Sequence, residues 1–461
     1  MPEVSSSGFS GLIGVARSDI TPPVGIYSQN WGAAREVKAS GIHRPLTATG
    51  ISFRSKNGGS SLVLLSLELG WWRTRKEADD FRKQISEALA LQEQALLIHL
   101  THTHAGPVIS AQCKEEPGGN LIEEYVSNLV EKCIRLVRQS WEKEEEAVLT
   151  WRYGKCGLAK KRDLKNPENP EEWLTGYDPD SSADETLLVG RISNADGTIL
   201  GTIINYACHP TTLAWDNQLI SPDFPGAARE MLEAETGQAP CLYLQGASGE
   251  LAPAEQYSGD TALADRHGRE LGHAALSTLA GMDPPSSKLR FIEKLESGAP
   301  LAIWKREESE MSAVLEGRCI PIKFELKGLL TKEEIRQRLE VANDEFERER
   351  LRRKMGICSN FSDTEESIES FWVWQLGDSF FVSHPFEAYS HLQQVLRSQF
   401  PQNAIAVSNL SNGSLGYLPT TDCYDHDLYS VWQTPFDRGG LEKLMKAEGA
   451  VIQELISKVK I

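Results

Sequence analysis

The stretch ALLIHLTHTHAGP, residues 95–107, decides how the chain is read. Ala95–Leu100 is a short apolar run with the length and composition of a buried strand. His102 and His104 follow two residues apart, and Gly106-Pro107 closes the segment. In an extended segment residues i and i+2 point to one side. The spacing therefore predicts both imidazoles facing one cavity at a strand end, with His99 out of phase and structural. The design recurs about a hundred residues on, where Ile203–Ala207 runs into Cys208-His209-Pro210-Thr211. A lone histidine there is more often a hydrogen-bonded structural residue. Two strand ends of one design point instead to histidines meeting at a metal ion.

Strand and helix signals alternate outward from this stretch. Upstream, residues 10–25 read as a strand stopped by Pro22-Pro23. Leu46–Arg54 and Ser61–Leu69 are β-like runs about a Gly-containing turn, and Trp72–Leu91 has helical periodicity. Downstream come an amphipathic helix, Leu121–Lys143, a strand, Ala147–Tyr153, and a polar, proline-containing surface loop, Asp163–Ser182. Strands Thr186–Ile192 and Ile199–Ala207 flank an Asp196-Gly197 turn. Helices over Phe224–Thr236 and Ala262–Leu279 bracket a strand, Cys241–Gln245. Residues 283–318 show no readable period. Thr331–Met355 is a charged helix with a Thr-Lys-Glu-Glu cap and reads as a solvated surface element. Strands Phe371–Leu376 and Ser379–Ser383, a helix from Phe386 to about Phe400 and a strand, Ala404–Asn409, complete the pattern. The expected class is α/β, a mixed β-sheet core with flanking helices. One domain is expected over residues 1–461, with a charged helical insertion at about 329–357.

A chain of 461 residues, 40% of them hydrophobic, supports a large core. Its net charge of -17 makes it a poor non-specific partner for nucleic acid or anionic membrane. No apolar stretch is long enough to span a bilayer, and the N-terminus lacks a basic segment followed by an apolar one. The eight cysteines form no CxxC pair and read as ordinary thiols. From these features a cytoplasmic location and no stable membrane insertion are expected, and the charge says nothing more about substrate; a small-molecule substrate is expected only with the hydrolase reading below. Oligomeric state is not legible.

Glu387, in Ser383-His384-Pro385-Phe386-Glu387, reads either as a first-turn glutamate complementing a helix dipole or as the third protein ligand of a catalytic zinc. Tyr417 follows the turn Gly413-Ser414-Leu415-Gly416 and on composition alone is a packing tyrosine. Gly246-Ala247-Ser248-Gly249 approaches a nucleophile elbow, but Glu250 stands where G-x-S-x-G needs glycine. A serine hydrolase using Ser248 is thus weakly supported. The same turn lets backbone N–H groups approach a substrate oxyanion.

Taken in order, HTHAGP (102–107), CHPTTL (208–213), QGASGELAP (245–253), PFEAY (385–389) and GSLGYLPT (413–420) resemble the catalytic domain of neutral/alkaline ceramidases. The segment Gly14–Pro22 is similar to that family's opening strand, and the resemblance runs from roughly residue 12 to 440. It implies zinc held by His102, His209, Glu387 and Tyr417. It implies His104 as a catalytic histidine, Tyr429 as a hydrogen-bond partner of substrate or intermediate, and Arg162 as the active-site arginine. The implied reaction is amide (C–N) hydrolysis by a metal-activated water, and the same machinery opens an ester or a lactam.

Three departures bear on the substrate. The family's Gly-Asp-x-Ser-Pro is here Gly249-Glu250-Leu251-Ala252-Pro253, so Ala252 replaces the serine and argues against a covalent serine intermediate. The sequence has no room for the family's C-terminal immunoglobulin-like domain, and no secretion signal is evident. The expected substrate is therefore a small or modestly lipophilic N-acyl compound rather than ceramide. A non-catalytic binding protein would show a degenerate site, whereas all four ligand residues are present. Trp173, Tyr424 and Trp432 are candidates to line an apolar pocket, or equally core.

Overall fold

Eight strands lie in one mixed sheet whose spatial order sets up the site. They are β1 (Gly8–Asp19), β2 (Thr47–Arg54), β3 (Leu62–Leu67), β4 (Leu96–Leu100), β5 (Glu145–Lys155), β6 (Thr186–Asn194), β7 (Ile199–Tyr206) and β8 (Cys241–Gln245), in the order β8-β7-β6-β5-β1-β2-β3-β4. Inner neighbours are antiparallel, whereas the outermost pairs, β3/β4 and β7/β8, are parallel. A parallel pair needs a crossover, usually helical. Of the first four helices, α1 (Arg75–Leu89), α2 (Ile122–Glu142), α3 (Phe224–Glu235) and α4 (Thr261–Ala280), α1 carries the chain from β3 to β4 and α3 from β7 to β8. This computed structural model describes residues 3–5, 7–59, 61–361 and 365–459.

The sheet coils until its two edges meet. Ser66 on β3 donates to the Tyr243 carbonyl on β8 at 2.7 Å. The Gln245 N–H on β8 donates to His99 Nε2 on β4 at 3.1 Å, while His99 Nδ1 lies 3.0 Å from Ser66 Oγ. His99 is thus a buried structural clamp, as its phase predicted.

A second sheet, β9 (Leu315–Glu325), β10 (Glu366–Leu376), β11 (Ser379–Ser383) and β12 (Ile405–Ser408), runs in sequence order with β11/β12 parallel. Phe9, Phe53, Leu97, Trp151 and Leu244 of the first sheet pack against Trp372, Trp374 and Phe381 of the second in one buried core. Helices cover the outer faces. α2 buries Ile122, Tyr125, Leu129, Cys133 and Leu136, a 3.6-residue stripe, onto the first sheet. The remaining helices are α5 (Lys332–Val341), α6 (Glu345–Asn360), α7 (His391–Gln399), α8 (Tyr429–Gln433) and α9 (Gly440–Val459). Leu392 and Leu396 of α7 and Leu441, Leu444, Ile452 and Leu455 of α9 join the second sheet's outer core. The architecture is the expected α/β class, layered helix, sheet, sheet, helix.

Several expectations shift for local reasons. α1 begins at Arg75 because Thr74 and Glu77 form a capping box there. The charged segment over 331–355 is two helices broken at Ala342–Asp344, not one solvated rod. Ile335, Ala342, Leu351 and Cys358 give it a small core of its own. The unassigned 283–318 region holds a hairpin, Ser287–Glu296 with Pro300–Glu308, whose residues are almost all at least partly exposed. Residues 163–182 contain a short pairing of Asp163–Lys165 with Trp173–Thr175. The helix expected from Phe386 starts at His391. All eight cysteines are free thiols. Among the described residues no helix is long and apolar enough to cross a membrane.

Candidate metal centre

Each of the three parallel pairs in these two sheets sends one residue to the same point. His102 lies two residues past β4, His209 three past β7 and Glu387 four past β11. Carboxyl ends of parallel strands are where open α/β sheets place ligands. Here coiling of the large sheet brings the two histidine-bearing ends together beside the second sheet. His209 Nε2 is 3.0 Å and His102 Nε2 3.3 Å from Glu387 Oε2. One ligand atom from each of the three lies within 4.8 Å of the others, so a single ion can touch all of them.

Both histidines are held in the tautomer a metal needs. His209 Nδ1 donates to the Ser248 and Leu251 carbonyls at 2.7 and 3.1 Å, leaving Nε2 with its lone pair. Burial, then Arg162, hold the His209 pKa down at about 3, so the ring is neutral. His102 Nδ1 faces the Gly70 carbonyl at 3.4 Å. Burial alone would raise the Glu387 pKa, but the flanking histidines outweigh it and keep the carboxylate ionised. Two imidazoles and one carboxylate are the donor set of a His₂Glu catalytic zinc site, and they fit such an ion.

Glu387 does not sit in the first turn of a helix. Glu387-Ala388 pairs in parallel with Tyr417-Leu418, register Glu387 to Tyr417. The Glu387 N–H donates to the Gly416 carbonyl at 2.9 Å, where Gly416 has φ +95°. This pairing overrides the helical propensity of the segment and sets Tyr417 beside the cluster, its ring stacked 6.4 Å from His209. A Cβ on Gly249 would come within 2.6 Å of the Glu387 carbonyl oxygen, so that approach requires glycine. Arg162, buried, donates to the Gly249 carbonyl at 2.7 Å and to Tyr417 Oη at 3.0 Å. Burial raises the Tyr417 pKa well above its ordinary value, with Glu387 acting the same way and Arg162 against it.

His102 is not extended: its φ is +69°, a left-handed conformation that costs a non-glycine residue about 1–2 kcal/mol. The two imidazoles nevertheless meet, with His104 Nε2 3.4 Å from His102 Nε2. His104 Nδ1 is buried and has no hydrogen-bond partner among the described residues. Burial, then His102 and His209, hold the His104 pKa well below the usual histidine value. Trp71 and Trp31 flank the ring at 4.8 and 5.0 Å. Trp31 in turn meets Trp215 and Tyr257.

Tyr429 opens α8 with its ring 5.7 Å from Tyr417. Its hydroxyl accepts from Arg353 of α6 at 2.9 Å and from Gln433 at 3.0 Å, so its own O–H is free to donate. The charged segment read as solvated therefore reaches the site. Trp432 packs on Tyr429 at 5.0 Å, whereas Trp173 packs on His426 and the Tyr424 hydroxyl donates to the Phe436 carbonyl.

Three amides of the glycine-rich turn are engaged within the fold. Gly246 N–H donates to the Tyr206 carbonyl, Ala247 N–H to Gln393 and Gly249 N–H to the Ala388 carbonyl. The buried Ser248 hydroxyl accepts from Gln245 at 2.8 Å, and His209 faces its carbonyl oxygen rather than its hydroxyl. A serine–histidine nucleophile pair is not built here. Ala252 is buried in a short strand paired with Ala159–Lys161. Sequence reasoning passed over Trp31, Trp71, Arg73 and Arg353. The signal was Gly70-Trp71-Trp72-Arg73 directly after β3, a strand-end pattern like that of His102.

A model of a family described as neutral/alkaline non-lysosomal ceramidase, N-terminal, matches residues 12–253, just over half of the chain. His102, His104, Arg162 and His209 fall inside that match; Glu387, Tyr417 and Tyr429 lie beyond it. The fold is similar to that of a neutral ceramidase from Pseudomonas aeruginosa, with TM-score 0.68 and 15% identity, covering 99% of this chain and 75% of that one. It is also similar to a ceramidase complexed with C2, with TM-score 0.66 and 15% identity, covering 98% and 76%.

Proposed function

Because the chain belongs to the neutral/alkaline non-lysosomal ceramidase family, we propose that it is a zinc-dependent hydrolase of the amide bond in a small or modestly lipophilic N-acyl substrate. The observation that carries the reading is the convergence of His102 Nε2, His209 Nε2 and Glu387 Oε2, with the far nitrogen of each ring turned to a backbone carbonyl. Tyr417 completes the shell through a hydroxyl already bonded to Arg162. A bound divalent cation would supply Lewis-acid chemistry, polarising the amide carbonyl and bringing the pKa of a water from 15.7 to about 7.

The chain's own side chains do the rest. His104, neutral and with an unpartnered Nδ1, takes a proton from the attacking water and later delivers one to the leaving amine. With the Gly246, Ala247 and Gly249 amides engaged, Tyr429 donates its free O–H to the developing oxyanion. Arg162 fixes Tyr417 and the Gly249 carbonyl, and so the backbone against which Glu387 packs. Trp31 and Trp71 exclude water around His104. Ala252 carries no hydroxyl, so attack by water without an acyl-serine step is preferred.

The test is release of amine from a panel of N-acyl amines, with and without chelator. Turnover that a chelator abolishes and zinc restores supports the assignment. Turnover indifferent to chelator removes the metal from it, and no turnover of any amide while esters or lactams are opened moves the site to that chemistry.

A further inference from the structure

Two guanidinium groups stand one side chain away from the site, with few carboxylates to pair them. Arg73 lies over Trp71, its Cζ 4.6 Å from the ring centroid, and the same indole contacts His104 at 4.8 Å. Among the described residues Arg73 forms no ion pair. Its hydrogen bonds are to two neutral acceptors, the Gln29 carbonyl at 3.4 Å and Asn30 Oδ1 at 3.3 Å. Both are long for N–H···O bonds. Arg353 of α6 reaches the site by its bond to the Tyr429 hydroxyl at 2.9 Å. The carboxylate beside this pair is Glu349, 2.9 Å from Arg353 Nε and also 3.8 Å from Arg352. Glu349 in turn lies against Gly32, next to Trp31, so α6 approaches the Trp31 side of the site as well. Burial and the nearness of Arg353 pull the Arg73 pKa below its ordinary value, as expected of a cation short of a counter-ion. In a chain of net charge -17, two cations converging on a catalytic cleft are a local inversion of sign.

We propose that Arg73, with Arg353 opposite, recognises a carboxylate on the substrate, so that the N-acyl compound cleaved here is an anionic amide rather than a neutral lipid. The inference rests on the amide-hydrolase reading. Guanidinium supplies planar, paired donors that match a carboxylate. Arg73 is one indole away from His104, close enough for the acid to share a small substrate with the scissile bond. The aromatic rings of Trp31, Trp71 and Trp432 take the apolar remainder.

The test compares kcat/KM for matched pairs. One pair is N-dodecanoylglycine against N-dodecanoylethanolamine, with the acid on the amine side. The other is the monododecylamide of succinic acid against N-dodecylbutanamide, with the acid on the acyl side. We expect one anionic member to be preferred, and the arm that shows it fixes the side. In Arg73→Gln the anionic-to-neutral ratio is expected to fall about tenfold to a hundredfold, the loss of a charge-assisted hydrogen bond. Arg73→Lys is expected to retain part of it. A general structural fault would lower both members together and leave the ratio intact, which overturns the proposal, as does a flat ratio in the native chain. If none of the four amides turns over, the hydrolase reading fails by itself. Calorimetric binding of the same compounds then decides: tighter binding of an anionic member, lost in Arg73→Gln, supports the proposal, and equal binding overturns it.

Discussion

The floor of the cleft and its rim are built by opposite means. At the floor, buried His209 is tied to two main-chain carbonyls and mostly buried Glu387 to a main-chain ladder, each placed by the end of a parallel strand. At the rim, contacts run mostly through side chains: Arg73 lies over Trp71, and Arg353 of the charged α6 meets Glu349 and Tyr429. Backbone ties fix geometry to fractions of an ångström, as proton transfer and metal ligation require. Side-chain charge on a peripheral helix can be changed without disturbing that geometry. The difference teaches that chemistry and substrate choice are carried by separable parts of one cleft.

The floor should therefore be intolerant. His104→Ala is expected to lower kcat about 10²- to 10⁴-fold, the range for loss of a general acid–base, while metal content stays as in the native chain. Steady-state kinetics beside elemental analysis checks this, and loss of metal in this variant would make His104 a ligand instead. Tyr429→Phe comes next. Removing one oxyanion donor is expected to cost about 10²- to 10³-fold in kcat, with KM little changed. An effect confined to KM would move Tyr429 from the floor to the rim.

Acid should weaken the buried frame behind the floor, where His99 ties β4 to β8 and His267 of α4 lies 3.1 Å from Thr212 Oγ1. Burial holds His99 at a pKa of about 3, and His267 is held at about 4, burial again being the first cause. The unfolded chain takes up these protons near 6.5 and the folded chain only far lower. Stability is thus full above pH 6.5 and is lost as pH falls through 6.5 toward 4, at up to about 1.4 kcal/mol per pH unit for the fully buried His99. Denaturant midpoints measured between pH 7 and 4 read this directly; a midpoint that rises over that range would contradict it. The smallest effect belongs to the rim. Arg350 lies over the Trp432 ring at 5.3 Å, and Arg350→Ala is expected to cost about 0.5–1 kcal/mol by chemical denaturation.

The same division explains what was legible in the sequence. Buried strands such as Leu62–Leu67 and Leu96–Leu100 announce themselves as apolar runs, so the strand ends bearing His102 and His209 could be found by pattern. Two features of the floor were hidden because tertiary contacts override local preference. Glu387 lies in a segment that reads as a helix start until Tyr417 pairs with it, and His102 takes a positive φ that no pattern announces. At the rim the failure is different. The 331–355 charges look like a solvated rod because the Arg353–Tyr429 contact joins residues 76 positions apart. The Ser287–Glu308 hairpin escaped because strands wet on both faces lose the alternation that marks a half-buried strand.

The most direct test of the central claim is elemental analysis of protein purified without chelator, set beside His209→Ala. The account predicts about one zinc per native chain and none held by the variant. A native chain that carries no metal, and takes up none when zinc is supplied, would contradict it.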